Sequence, residues 1–411
     1  MSDALNLGNR LFSPAIFHAQ TEVTFMRSAH TLAILTALSL SVASAQSTIK
    51  IGAVTSLSGR FATFGAMQQA GFKVAIDELN AKGGVNGQKL ELLLEDDASD
   101  TNKALNAAEK LVNAKVPVVI GAYSSGITKP LSQYLARVKV PLLVATAIDE
   151  TITKPGNAYT FRVNNQSSVY TRSLIAELKR IGGMKTAVVL TSNDAFGKSV
   201  LTDATKLLPA AGFTVLSKDT YDKGLTDFRP LLNRYKGQNP DVVIFASYEE
   251  DAVALAKQVR ETGLSPRIIA GIATGFALPD FLKGAGNTAE NFLITMVWNA
   301  DVKYPGAASL NTRLKAALGG EEPSQHAAQS YAAVLAAADA IKRGGMDPEK
   351  VRTALESTKL NTAFGPVTFR DYAGYQNQNS VVGLITQVQG GKFVTIGPAS
   401  AATGKIVIPK K

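Results

Sequence analysis

The sequence predicts an α/β protein made of two doubly wound lobes with a ligand cleft between them. Three observations lead there. Short apolar runs rich in Val, Ile and Leu alternate with helical patterns from Ile49 onward, the order that parallel sheets require. The alternation runs to about residue 163 and starts again at Thr186. The chain of 411 residues is also too long for one hydrophobic core.

In the first half, Ile49-Lys-Ile-Gly-Ala-Val54 reads as a strand and is followed by a Ser-Gly loop. A helix is expected over 66–81, apolar at Ala70, Val74, Ala75 and Leu79, and stopped by Gly83-Gly84. Leu90–Leu94 reads as a strand with Asp96-Asp97 at its carboxyl end, serving as strand end and helix cap, and a helix follows over 103–113. Val116–Ile120 and Val140–Val144 are short and wholly apolar, as strands buried on both faces are. Tyr159–Val163 with Asn164-Asn165 is a natural crossover. In the second half, the runs beginning at Thr186, Phe213, Asp241, Arg267 and Phe292 read as strands separated by helices. Val381–Val388 and Lys392–Ile396 flank Gly390-Gly391 and read as a hairpin. In sheets of this kind ligands bind outside the carboxyl ends of the strands, so two facing lobes would line a cleft with those loops.

Residues 26–45 have the three parts of a secretory signal. They are a short basic start at Met26-Arg27, an apolar stretch over Thr31–Val42, and Ala43-Ser44-Ala45 before Gln46. The stretch is shorter than the roughly 17–25 apolar residues that span a bilayer. Met26 is therefore expected to be the true start, residues 1–25 an unstructured extension, and Ala45 the last residue removed. The mature chain would keep the net charge of +10, because Asp3, Glu22, Arg10 and Arg27 cancel. It has no cysteine, which excludes disulfides, thiolate metal sites, a cysteine nucleophile and a lipid-anchored cysteine. His326 would be its one histidine, since His18 and His30 lie before the cleavage site. That is a poor kit for general-base or zinc chemistry, so neither catalysis nor a metal or cofactor is expected. The positive charge is dispersed, without the clustered stripe and interleaved aromatics of a nucleic-acid binder.

Five segments, in order, resemble one known family. They are Ile49–Gly59, the helix end Ala75–Gly87, Glu95-Asp-Asp97, Ile120-Gly-Ala-Tyr-Ser-Ser-Gly126, and Phe364-Gly-Pro-Val-Thr-Phe369. Together they are similar to the type I periplasmic binding proteins of branched-chain amino acid ABC transporters. The resemblance implies two lobes joined by three crossovers, here near Asn164, Trp298 and Gly365. One lobe would hold 48–163 and 300–364, the other 165–297 and 366–398, with a tail over 399–411. It implies a soluble monomer in the periplasm, closing by hinge motion on a branched-chain amino acid or related small carboxylate or amide and delivering it to a membrane permease. A ligand-sensing subunit of a membrane receptor is the alternative, as is a carrier for a non-amine aromatic or aliphatic acid.

The candidate site follows from the same match. Ser124 and Ser125 open a helix after a buried strand, where a hydroxyl and unpaired N–H groups suit a carboxylate and where Ser is also a favoured cap. Thr146 and Ala147 lie on the loop that contacts carboxylate and amine in the family; the hydroxyl expected two residues on falls on Ile148, and Asp149 is a substitute acceptor. Phe64 and Phe196 stand where the family has tyrosines, and Tyr248 matches an aromatic facing the cleft. Ser192–Ser199 fails the phosphate-loop pattern, which needs Gly where Ser192 stands. Glu249 and Glu250 suit a first helical turn. Tyr331 reads as core packing, while His326 and Gln329 are expected on a helix surface. The family's acid for the ligand's ammonium has no counterpart in Gly271–Ala277, so either Asp149 or Glu249 substitutes or the ligand lacks an α-amine. The paired acids Asp96-Asp97 are the alternative catalytic reading, weakened because neighbours on a strand point to opposite faces.

Overall fold

The computed structural model describes residues 48–408; the expected extension 1–25, the expected signal 26–45 and residues 409–411 lie outside the described residues. Strands β1 (Ile49–Thr55), β2 (Leu90–Asp96), β3 (Val119–Gly121), β4 (Leu142–Val144) and β5 (Thr160–Arg162) are all parallel, in the order β2-β1-β3-β4-β5. A second parallel set, β6 (Thr186–Ser192), β7 (Thr214–Tyr221), β8 (Val242–Ala246), β9 (Ile268–Ile272) and β10 (Leu293–Met296), is ordered β7-β6-β8-β9-β10. The inner strands β3, β4, β8, β9 and β10 are buried at every position, which is why they read as unbroken apolar runs rather than as alternation.

Each sheet is completed from the last part of the chain. After a ribbon of β11 (Lys359–Thr362) and β12 (Gly365–Thr368), the strands β13 (Arg370–Tyr372) and β14 (Tyr375–Gln378) add to the first sheet, β14 lying beside β5. β15 (Leu384–Gln389) and β16 (Lys392–Gly397) then form the expected hairpin and extend the second sheet antiparallel to β10. Two mixed seven-stranded sheets result, one in each lobe. The chain therefore joins the second sheet only after Gln378, later than the expected crossover near Gly365, because β14 pairs with β5 and β13 with β14. The tail doubles back on β15, where the Gln387 side chain both donates to Val407 O at 2.7 Å and accepts from Val407 N at 2.8 Å.

Helices α1 (Ala62–Ala81), α2 (Thr101–Asn113) and α3 (Ser125–Arg137) follow strands of the first sheet. In the second lobe come α4 (Ser167–Ile181), α5 (Ala195–Ala210), α6 (Arg229–Gln238), α7 (Glu249–Thr262) and α8 (Pro279–Ala285). Then α9 (Ala307–Ala317), α10 (Gln325–Gly344) and α11 (Pro348–Glu356) return to the first lobe, α10 packing along α1. Local capping explains where the helices that point into the cleft begin. Ser124 caps α3 by accepting from Ile127 N, and Asp194 caps α5 by accepting from Gly197 N at 2.9 Å. The cap of α2 is Asp100, not Asp96 or Asp97. Those two instead tie down the loop after β1: Asp96 accepts from Leu57 N and from the Ser58 hydroxyl, and Asp97 from the Ser56 hydroxyl at 2.5 Å.

The lobe junction is built from buried polar side chains. Arg162, with no exposed surface, donates to Gln378 Oε1 at 2.7 Å, to Asp149 O at 2.7 Å and to Thr153 Oγ1 at 2.6 Å. Burial pulls its guanidinium down to about 10, partly offset by Glu150 and Asp149, so it stays charged at neutral pH. Next to it Asn165 exchanges two hydrogen bonds with the backbone of Val381, and Asn379 donates to Val163 O and Pro366 O. At the other crossing Trp298, also fully buried, donates its indole N–H to Ala363 O at 3.1 Å.

Removing Arg162 strands several buried acceptors at once. Arg162→Met is expected to lower the unfolding free energy by at least about 3 kcal/mol, since hydrogen bonds of a charged group contribute roughly 1.5–3 kcal/mol each. Urea denaturation followed by circular dichroism measures it; a loss under 1 kcal/mol would show that the junction does not depend on this side chain.

Candidate functional site

The loops at the carboxyl ends of β3, β4, β8 and β9 converge on one small pocket of about 20 Å³, lined by Tyr123, Ser124, Ser125, Thr146, Ala147, Ile148, Phe196, Tyr248, Thr274 and His326. Six of the eight expected residues are thus brought together: Ser124, Ser125, Thr146, Ala147, Phe196 and Tyr248. Phe64 forms the wall behind, its ring stacked on Tyr123 at 4.1 Å and edge-on to His326 at 5.4 Å. Asp149 does not reach the space. Its carboxylate is turned back onto the following turn, where it accepts from Thr151 N at 2.7 Å and from the Thr151 hydroxyl at 2.5 Å.

The first lobe supplies the polar end. The N–H groups of Ser125 and Gly126 begin α3, where no preceding turn can accept from them. Ser125 Oγ accepts from Asp149 N at 3.2 Å, which fixes the loop after β4 against the helix start. Thr146 Oγ1 lies 3.3 Å from Tyr123 O, and Asn164 at the junction holds Thr146 O at 2.6 Å. The hinge and the binding loop are therefore directly connected.

Aromatic rings from both lobes close the other side. Tyr248 of the second lobe meets Phe61 at 4.7 Å, Phe196 at 5.5 Å and Phe64 at 6.3 Å between ring centroids. Gly275 is required at this point, because a side-chain carbon there would lie 2.3 Å from the Tyr248 backbone. Beside it Ala273 and Thr274 adopt positive φ of 47° and 48°, backbone that non-glycine residues avoid, and Thr274 lines the cavity.

A larger pocket of about 240 Å³ adjoins the first through Ser124 and Tyr248 and includes Arg60, Phe61, Gly126, Asn193, Asp194 and Lys223. Arg60 of the first lobe pairs with Asp251 of the second at 2.7 Å, while its guanidinium sits 4.9 Å from the Tyr248 ring centre. Tyr221 also donates to Asp251, at 2.9 Å. Burial raises the Asp251 carboxyl and Arg60 offsets it. Nearer the hinge Glu150 accepts from Ser168 N at 2.7 Å, and its own N–H donates to Ser199 Oγ across the lobes. Ser167 donates to Asp203 at 2.6 Å. Burial and then the neighbouring Glu150 push the Asp203 carboxyl up to about 6, against the opposing pull of the Ser167 hydroxyl and Arg172.

Sequence reasoning missed Tyr123, Thr274, His326 and Arg60. His326 and Gln329 are not on a surface: they are 4% and 0% exposed, because α10 is buried around most of its circumference by α1 and the cleft. Burial drops the His326 imidazole to about 3, so it is neutral, with Nδ1 3.1 Å from Ser324 Oγ. Tyr331 is largely buried as expected, and its hydroxyl donates to Glu78 at 2.6 Å. Glu249 and Glu250 do open α7. Among the described residues no group of three or more His, Cys, Asp or Glu could hold a metal ion, and no helix is long and apolar enough to cross a membrane.

The sequence profile of the periplasmic binding proteins matches residues 48–392. The chain belongs to the type I periplasmic binding proteins of the branched-chain amino acid family. It is 28% identical over 382 residues to Leu/Ile/Val-binding protein homolog 8 of Brucella melitensis, covering 88% of this chain and 93% of that one. To homolog 7 of Brucella suis it is 27% identical, covering 93% and 99%. The branched-chain amino acid transporter substrate-binding protein LivJ of Streptococcus pneumoniae, solved with isoleucine, superposes with a TM-score of 0.77 at 25% identity, covering 88% of this chain and 100% of LivJ. A solute-binding protein of R. palustris solved with benzoate shares the fold, with a TM-score of 0.75 at 21% identity over 88% and 99% of the two chains. In this periplasmic binding protein no carboxylate lines the smaller pocket, while Asp194 lines the adjoining one.

The burial of Asp203, beside Glu150, gives the protein a pH dependence. An acid whose value is raised in the folded state contributes stability that is present below its ordinary value, near 4, and lost as pH rises through about 6. Asp203→Asn is therefore expected to raise the melting temperature more at pH 7 than at pH 5. An equal change at both values, in differential scanning fluorimetry, would show that the Asp203 carboxyl is not raised in the folded state.

Proposed function

We propose that this protein is the extracytoplasmic substrate-binding component of an ABC importer, which captures a small carboxylate between its lobes and presents it to a membrane permease. The moving bodies would be 48–163 with 300–378, and 165–297 with 384–398. The observation that carries the proposal is the cavity itself. Helix N–H groups and the Ser124 and Ser125 hydroxyls of one lobe suit a carboxylate, and aromatic faces from both lobes suit an apolar body. The Arg60–Asp251 pair would form as the lobes close. Nothing in the site resembles a nucleophile held by a base, so the reading is capture and release rather than turnover.

The ligand's amine is the open point, and the cavity's chemistry favours an acid without one. An ammonium buried without a carboxylate costs several kcal/mol. Where a counter-charge would be needed the lining offers Thr274 and a neutral His326. Asp194 in the adjoining pocket is already engaged by Gly197 N and the Ser192 hydroxyl. The benzoate in the R. palustris neighbour fits such a ligand class. A branched-chain amino acid is the second reading, favoured by the names of the Brucella relatives and by the isoleucine in LivJ.

Thermal-shift and calorimetric titration of the purified protein with leucine, isoleucine, valine, 4-methylpentanoate and benzoate tests both readings. A non-amine acid is expected to stabilise by about 2.7 kcal/mol at a hundredfold excess over its Kd, and the amino acids much less. Stabilisation by leucine alone would restore the amino-acid assignment, and chemical conversion of any ligand would remove the carrier reading.

A further inference from the structure

Tyr123 holds a polar group that the fold leaves unused. Its side chain is 4% exposed, its hydroxyl is fully buried, and that hydroxyl has no hydrogen-bond partner. The ring is held tightly, stacked on Phe64 at 4.1 Å and tilted or edge-on to Phe61, His326 and Tyr248. Tyr123 also lines the small pocket between the lobes. A buried hydroxyl without a partner is destabilising, and native proteins satisfy nearly all of them. An aromatic chosen only to fill space would be phenylalanine, as at Phe64 and Phe196 on the same cavity.

The surroundings of the hydroxyl say which part of a ligand it meets. The charged and ionisable groups it feels are Tyr248, Asp194, Glu249 and Arg60. All four lie at the start of α7, at the loop before α5 and on the loop after β1. The pocket that Arg60, Asp194 and Tyr248 line also includes Ser124 and Gly126 at the start of α3. We propose that the Tyr123 hydroxyl reads a second polar group, a hydroxyl, on a flat aromatic acid bound in the cleft. The inference rests on the carboxylate reading above and names its substrate class: a hydroxylated aromatic monocarboxylate. Closure puts the hydroxyl in a dry space where one hydrogen bond discriminates strongly, because the analogue without it leaves Tyr123 unpaired.

The test is a titration matrix of wild type and Tyr123→Phe against benzoate, 3-hydroxybenzoate, 4-hydroxybenzoate and leucine by calorimetry. Wild type is expected to bind at least one hydroxybenzoate tenfold or more tighter than benzoate. Tyr123→Phe is expected to lose that preference, binding the hydroxybenzoates and benzoate with affinities within about threefold of one another. Its ligand-free melting temperature is expected to be unchanged or higher. A preference that is absent in wild type or survives in the variant overturns the inference, and so does a fall in the ligand-free melting temperature, which would give the hydroxyl a structural partner. Leucine binding with no response to any benzoate overturns it while leaving the carrier function intact. If no acid in the matrix binds, the small-carboxylate reading falls with it.

Discussion

Buried side-chain amides at the lobe junction are the constraint on which the other features rest. Two stretches of chain, residues 162–165 and 378–381, run side by side where the lobes meet, and Arg162, Asn164, Asn165, Gln378 and Asn379 satisfy one another and the exposed backbone between them. Two sheets in separate lobes leave unpaired backbone wherever the chain passes from one to the other. Such groups are costly when buried, and the amides answer them without a continuous strand that would lock the lobes together. Asn164 also holds Thr146 O, so the geometry of the junction is passed to the loop that lines the cavity.

From that junction the site follows in sequence order. Each lobe delivers helix starts and strand ends to the cleft, and the two contribute different chemistry. The first gives hydroxyls and N–H groups at α3. The second gives Phe196 and Tyr248, while Arg60 reaches across to Asp251. A ligand recognised in this way needs little charge from the protein beyond a helix start. That matches a chain with one described histidine, no cysteine and no carboxylate on its smaller pocket.

The sheet cores were legible in the sequence because parallel strands buried on both faces have a plain apolar signature. The polar helix start was legible because Ser124-Ser125 directly follows such a strand. Boundaries were less so: the run from Val116 yields a strand only from Val119, where pairing with Gly52 begins. The strands at 370–378 are short, polar and tyrosine-bearing, and nothing local marks them as the edge of the first sheet. His326 and Gln329 were misread because polar residues on a helix ordinarily face water. Only the packing of α10 against α1 and the cleft shows that this helix has almost no outer face. Tyr123 carries no local signal of its own, and only three-dimensional placement reveals a hydroxyl without a partner.

Closure of two lobes on a bound acid is the central claim, and small-angle X-ray scattering measures it directly. The radius of gyration should fall on saturation with whichever carboxylate binds, and Arg60→Ala should weaken that response by removing the pair that spans the cleft. A radius that stays constant while calorimetry shows the ligand bound would contradict hinge closure, and with it the reading of the cleft as a capture site.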